Sequence, residues 1–233
     1  MRAVFWKDLC LVGRDFRLMF QLYSIGAMFC VFPFVMLMSR GTPLPVAMRP
    51  VMAMAAALGT AVIVSSQAGM MLVPVEGGAG FRMLTAPLRA RDLALTKWLA
   101  AFFLTLPIVA LQLPVIGFGF GLGFTDALTG TLWGAVGAVA GSALGVLLGA
   151  AFPNFAWDHP KRIVQPAAQM GWGFGVALIV LALSVMGQLG GYLLSGWLGG
   201  PLLPLLMLGP AGLGAAVGIA ITARLLRELE WPN

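Results

Sequence analysis

Charge is the scarcest commodity in this 233-residue chain. Only 9% of its residues are Asp, Glu, Lys or Arg, against roughly 25% in an ordinary soluble domain. So little charge cannot cover the surface of a water-soluble globule of this size, and disorder is excluded too, because a disordered chain needs low hydrophobicity. Two cysteines and one histidine are too few for a Cys/His zinc site and argue against a disulfide framework. No HExxH helix, GxSxG elbow, paired-glutamate protease motif or DxxDG-type lipid transferase motif occurs, and Ser142 has no base near it in sequence. The single histidine, His159, sits between Asp158 and Pro160 and reads as a turn residue. No GxxxxGK[ST] phosphate loop is present, so this chain lacks that means of cradling ATP. An enzyme is not expected, nor is any cofactor or metal.

What the chain has instead is apolar length. Sixty per cent of it is hydrophobic and its mean hydropathy is +0.96. Charge-free runs separate Arg17 from Arg40, Arg49 from Glu76, Lys97 from Asp126, Asp126 from Asp158 and Arg162 from Arg224. A helix needs about 20 apolar residues to cross hydrocarbon roughly 30 Å thick. The first four runs fit one span each and the last fits two. These runs do not alternate as barrel strands do. The expected fold is an all-α polytopic membrane protein, one domain over residues 1–233, with spans at about 20–38, 51–75, 98–121, 130–151, 169–187 and 202–223.

Orientation follows from Lys and Arg. With both termini on one side, that side collects Arg2, Lys7, Arg14, Arg17, Arg82, Arg89, Arg91, Lys97, Lys161, Arg162, Arg224 and Arg227, and the other has only Arg40 and Arg49. The positive-inside rule makes the rich side cytoplasmic. The net charge of +6 is then a topology signal; no basic stripe with interleaved aromatics suggests nucleic acid. Residues 1–20 carry Asp8 and Asp15 and lack the short apolar core and small-residue cleavage site of a signal peptide.

Residues 1–19 read as an amphipathic interfacial helix. Phe5, Leu9, Val12, Phe16 and Met19 recur at spacings of three and four, and Lys7, Asp8, Arg14, Asp15 and Arg17 are assigned to other faces. Such a helix turns Phe5 and Phe16 toward the acyl chains, with Trp6 at the stripe's edge. It is either an anchor or a docking element. Within the spans, Gly137, Gly141, Gly145 and Gly149 share one helix face and allow another backbone close, either inside the subunit or in a dimer seam; Gly214 and Gly218 repeat the device. Pro33, Pro107 and Pro114 are expected to bend spans one and three. The uncharged segment 187–201, with Tyr192 and Trp197, is either a re-entrant pair of short helices or an aromatic-belt loop. Ionisable groups are absent inside the spans, which argues against proton coupling and suits a path for an amphiphilic or apolar substrate. Lys97 and Glu76 are expected to snorkel at span ends.

Residues 76–97, EGGAGFRMLTAPLRARDLALTK, are the most informative connection. Glycines at 77, 78 and 80 stop a helix after Glu76, Pro87 breaks the chain again, and a second short helix is expected from about Arg89 to Lys97. The segment is either a surface hairpin presenting basic residues to the cytosol or a charged loop that only sets topology. The order of Glu76, a glycine cluster with Gly80, Leu84, Pro87 and Lys97 resembles the segment between spans two and three of ABC-2-type transporter permeases. The usual second acidic residue near Glu76 is missing. The connection 152–168, FPNFAWDHPKRIVQPAA, resembles a loop of a bacterial subgroup of ABC exporters, in which a longer chain often carries such a module as one half.

The resemblance implies a six-span permease of the inner (plasma) membrane with an interfacial amino-terminal helix and cytoplasmic termini. Its partners would be a separate ABC ATPase, the lipid bilayer and a second copy or related half. Carried onto this chain, it makes 76–97 a coupling hairpin. Phe81, Arg82, Leu84, Pro87, Arg89 and Arg91 would contact the ATPase, and Glu76 and Lys97 would stabilise the hairpin. The competing expectation from another class is a non-catalytic membrane scaffold or assembly protein without a transport path. A haem-related export permease has a similar size and span count, but no ligand pattern supports it here.

Overall fold

The computed structural model describes residues 2–15, 19–20, 23–24, 48–75, 89–154, 165–194 and 202–228. Those residues form six helices and no β-strand: α1 (Arg2–Arg14), α2 (Arg49–Leu72), α3 (Ala90–Phe120), α4 (Phe124–Ala151), α5 (Pro166–Leu194) and α6 (Leu202–Glu228). The last five are long and apolar enough to cross a membrane. Most of the first expected span, 20–38, lies outside the described residues.

Helix lengths differ from expectation in an informative way. α3 has 31 residues, about 46 Å at 1.5 Å per residue, so it exceeds the hydrocarbon thickness by roughly ten residues. The short helix expected at 89–97 and the span expected at 98–121 are therefore one continuous rod. Nothing between Arg89 and Lys97 stops a helix, and Asp92 in the first turn favours starting one. Pro107 and Pro114 lie within α3. They leave it continuous, because membrane helices tolerate a lost backbone bond. α3 ends at Gly121, whose φ of +61° is the left-handed conformation that glycine adopts without penalty. The N–H groups of Gly121 and Leu122 both reach the Gly117 carbonyl. α4 begins at Phe124, so the reversal is tight. α5 runs on to Leu194, through the first half of the expected connection 187–201; residues 195–201 lie outside the described set.

α4 is the hub of the bundle. It packs on each of the other four long helices, and the reason is its composition. Gly130, Gly134, Gly137, Gly141, Gly145 and Gly149 leave it thin enough to be surrounded. Its widest interface is with α2. There, side-chain space at Gly137, Gly141, Gly145 and Gly149 is taken by the backbone carbonyls of Leu58, Val62, Ser66 and Met70 respectively. Each row steps by four in the same direction, so the two helices run parallel in fixed register. Rows of that spacing meeting each other give the right-handed, close-approach packing of small-residue membrane interfaces. The glycine Hα takes the direction a Cβ would have, so it points at the opposite carbonyl. Each such Cα–H···O contact contributes about 0.5–1 kcal/mol. Gly69 of α2 returns the device, lying against the backbone of Ser142, Gly145 and Val146.

The remaining helices ring this pair. Trp133 of α4 is fully buried, and its ring fills the space a side chain would need at Gly187 of α5. Gly218 of α6 meets Ala143 of α4. α5 and α6 are peripheral: only 17% and 22% of their apolar windows are buried, against 56% for α2 and 61% for α4. Their outward side chains, including Phe174, Leu181, Leu213 and Val217, are what a helix shows to lipid.

Candidate functional site

Three of the residues assigned to coupling and hairpin roles can be placed. Arg89 and Arg91 are exposed at the start of α3. Lys97 lies two turns further in, and it is buried. Phe81, Arg82, Leu84, Pro87 and Glu76 lie outside the described residues. Gly137, Gly141, Gly145 and Gly149 line the α2–α4 seam and are not part of this cytoplasm-assigned end beyond Gly149.

Lys97 does not snorkel. Its Nζ donates to Asp8 Oδ1 of α1 at 3.0 Å, and both residues are almost completely buried, 2% and 1% exposed. Asp8 thus faces inward, which corrects its assignment to an outer face. Sequence spacing could have shown this: Asp8 stands three residues after Phe5 and four before Val12, so it belongs to the same stripe. Lys7 Nζ lies 3.9 Å from the same carboxylate oxygen, with its side chain 41% exposed. Removing one partner from a buried ion pair costs about 3–5 kcal/mol, so the pair dictates which helix covers this part of α3.

The rest of α1 agrees. Phe5 meets Phe103 of α3 edge-on, with ring centroids 5.4 Å apart. Val12 is buried in one cluster with Leu93 and Ala94 of α3, Leu72 at the end of α2, Val73 just beyond it, and Ala223 and Leu226 of α6. Leu11 packs on a second cluster that contains Met70, Met71 and Val75. Contacts therefore climb α3 as they descend α1, and α1 leans antiparallel against the first half of α3. The apolar stripe that sequence reasoning gave to the acyl chains is largely spent on protein. Phe5 and Leu9 are partly buried against the same cluster. Phe16 lies outside the described residues.

This arrangement docks α1 beside the point where one connection enters α3. α2 and the short turn after it are described as far as Val75, and α3 begins at Ala90. Residues 76–88 connect them; α1 packs on the first half of α3, and its Val12 and Leu11 join the clusters that contain Leu72 and Val73, and Val75, respectively. Thr96 ties the early α3 turn together by donating to the Asp92 carbonyl at 2.6 Å. Among the described residues no group of three or more His, Cys, Asp or Glu could hold a metal ion.

Deeper in the bundle a sparse polar seam fixes helix register. Trp172 Nε1 of α5 donates to Ser66 Oγ of α2 at 2.7 Å, and Ser66 Oγ donates to the Val62 carbonyl at 2.6 Å. Gln112 Nε2 of α3 donates to the Ala57 carbonyl at 3.0 Å, while its Oε1 lies against Gly134. Trp98 Nε1 donates to the Val139 carbonyl at 3.2 Å. All are neutral groups, and each interhelical bond is worth about 0.6 kcal/mol in a membrane protein. Sequence reasoning did not single out Ser66, Gln112 or Trp172; polar side chains inside apolar runs were the available signal.

Comparison of this chain with family models, with curated proteins and with solved structures finds no match. Among the described residues the protein is helical, with five helices long and apolar enough to cross a membrane.

Proposed function

We propose that this chain is the membrane permease subunit of an ABC exporter of the ABC-2 type. It crosses an inner (plasma) membrane six times with both termini cytoplasmic, works with a second copy or related half, and is driven by a separate ATPase. The observation that carries the proposal is the docking of α1 on the first half of α3, where residues 76–88 enter it, held by the buried Asp8–Lys97 pair. A connection that merely set topology would have no need for a dedicated helix docked where it enters α3. The motif order around Glu76, Gly80, Leu84, Pro87 and Lys97 adds the family resemblance. The alternating directions of α2 to α6, with basic residues gathered at one end of the bundle, support the topology.

In mechanical terms, an ATPase bearing on Phe81–Pro87, Arg89 and Arg91 pushes on the stems of α2 and α3. α3 carries the displacement across the whole membrane as one rod. The α2–α4 glycine seam makes that pair move as a unit, and α5 and α6, attached by narrower stripes, shift against it. The energy enters through the partner, because this chain has no phosphate loop.

Capture tests the proposal. The affinity-purified chain should bring down a phosphate-loop ATPase, and replacing residues 81–88 with a Gly/Ser linker of equal length should abolish that association while the chain still purifies as a folded species. If the intact chain brings down no such ATPase, or the linker variant binds it equally, the permease assignment fails. A scaffold or assembly protein then becomes the better description.

A further inference from the structure

The outward face of α1 has a composition of its own. Ala3, Trp6, Lys7, Cys10, Gly13 and Arg14 are all exposed, and their spacings of three and four put them on one side of the helix. The acidic residue of the helix, Asp8, points the other way into the bundle, so this face carries cations only. Trp6 is 62% exposed and packs edge-on to Phe5, which packs on Phe103. Phe103 is itself 46% exposed on the outside of a membrane-spanning candidate, so Trp6 stands at the edge of the lipid-facing surface. Phe103 stands six residues, about 9 Å, along α3 from Lys97 of the buried ion pair, at 1.5 Å per residue. A tryptophan at that level, with cations on the same face, is the pattern of a membrane–water interface.

We infer that this face of α1 is a docking surface for anionic phospholipid headgroups of the bilayer the protein crosses. Trp6 sits at the headgroup level, and Lys7 and Arg14 recruit phosphate. The sequence stripe suggested the opposite face for the membrane; burying that stripe against α3 is what turns the cationic face outward. The chemistry of the match is charge complementarity. An anionic leaflet attracts each nearby Lys or Arg by about 1 kcal/mol, roughly fivefold in local lipid concentration. Lys7 keeps its neighbour Asp8 at 3.9 Å and has its side chain turned partly outward, so it can serve both. The inference rests on the membrane reading of the fold and not on the ATPase.

The test uses the full chain with Cys30→Ser, which leaves Cys10 as its only cysteine. A fluorophore on Cys10 is followed in nanodiscs of phosphatidylcholine that carry a headgroup nitroxide on either phosphatidylglycerol or phosphatidylcholine at equal mole fraction. Quenching by the anionic probe should exceed quenching by the zwitterionic one by several-fold and fall with added salt. In the Lys7→Gln/Arg14→Gln variant the ratio should approach one. A ratio near one in the unsubstituted chain, a ratio that the double substitution leaves alone, or no quenching by either probe would overturn the inference. No ATPase is present in this measurement, so its outcome is independent of the capture experiment.

Discussion

Substituting Gly145 by alanine should separate two helices that the fold holds at backbone contact. A Cβ at that position would lie 2.8 Å from both the Ser66 carbonyl carbon and the Ser66 Cα, and closer still to the Ser66 oxygen. Carbon atoms reach their best separation at about 3.5–4.0 Å, so α2 and α4 must part by roughly 1 Å. The obstacle is backbone, which cannot rotate aside. Overpacking of this kind costs about 1–3 kcal/mol, partly offset by the 0.5–1 kcal/mol that alanine gains over glycine in a helix (about the same at any helical site). Gly214 of α6 supplies the internal control. Nothing lies within 4 Å of a Cβ built there, so Gly214→Ala should collect the propensity gain alone. At about 2–4 °C per kcal/mol for a chain of this size, Gly145→Ala should lower the apparent Tm by up to about 10 °C, and Gly214→Ala should hold or raise it. The assay is tryptophan fluorescence of detergent-solubilised protein at one fixed scan rate, since membrane proteins often unfold irreversibly. If Gly145→Ala is as stable as the parent, or if Gly214→Ala loses as much, the parallel glycine–carbonyl seam is wrong.

Two further outcomes test the packing. Asp8→Leu and Lys97→Met should each destabilise the chain strongly, by about 3–5 kcal/mol, whereas the two together should cost much less than the sum; hydrogen exchange over Val4–Leu11 reads whether α1 stays docked, and strict additivity would show that the pair does not hold it. Ser66→Ala and Trp172→Phe should each cost about 1 kcal/mol and the double variant little more than one of them. Fully additive losses in apparent Tm would mean that the two side chains act separately.

The α-helical character of this chain, and the presence of helices long and apolar enough to cross a membrane, are legible without coordinates. Long charge-free runs leave no alternative once the hydrocarbon thickness is set, and the four-residue glycine steps in α4 already marked a face for close backbone approach. Helix ends were less legible. α3 begins eight residues earlier than its expected span because the polar residues Arg91, Asp92 and Thr96 continue a helix as readily as they interrupt an apolar run. The electrostatic core of the site was missed: Asp8 and Lys97 are 89 positions apart, and no local pattern joins them.

Sequence alone determined which segments must leave water and which end of the bundle gathers positive charge, because both depend on composition and on the cost of moving polar groups into hydrocarbon. Only the tertiary structure decided which apolar face meets protein and which meets lipid. Lipid tails and a protein core offer an apolar side chain nearly the same environment, so hydrophobic periodicity cannot tell them apart. For α1 the choice was made by a single buried carboxylate, which had to find an ammonium and found it on α3. That contact lies on the same side as Phe5, Leu9 and Val12, and together they leave Trp6, Lys7 and Arg14 on the outside.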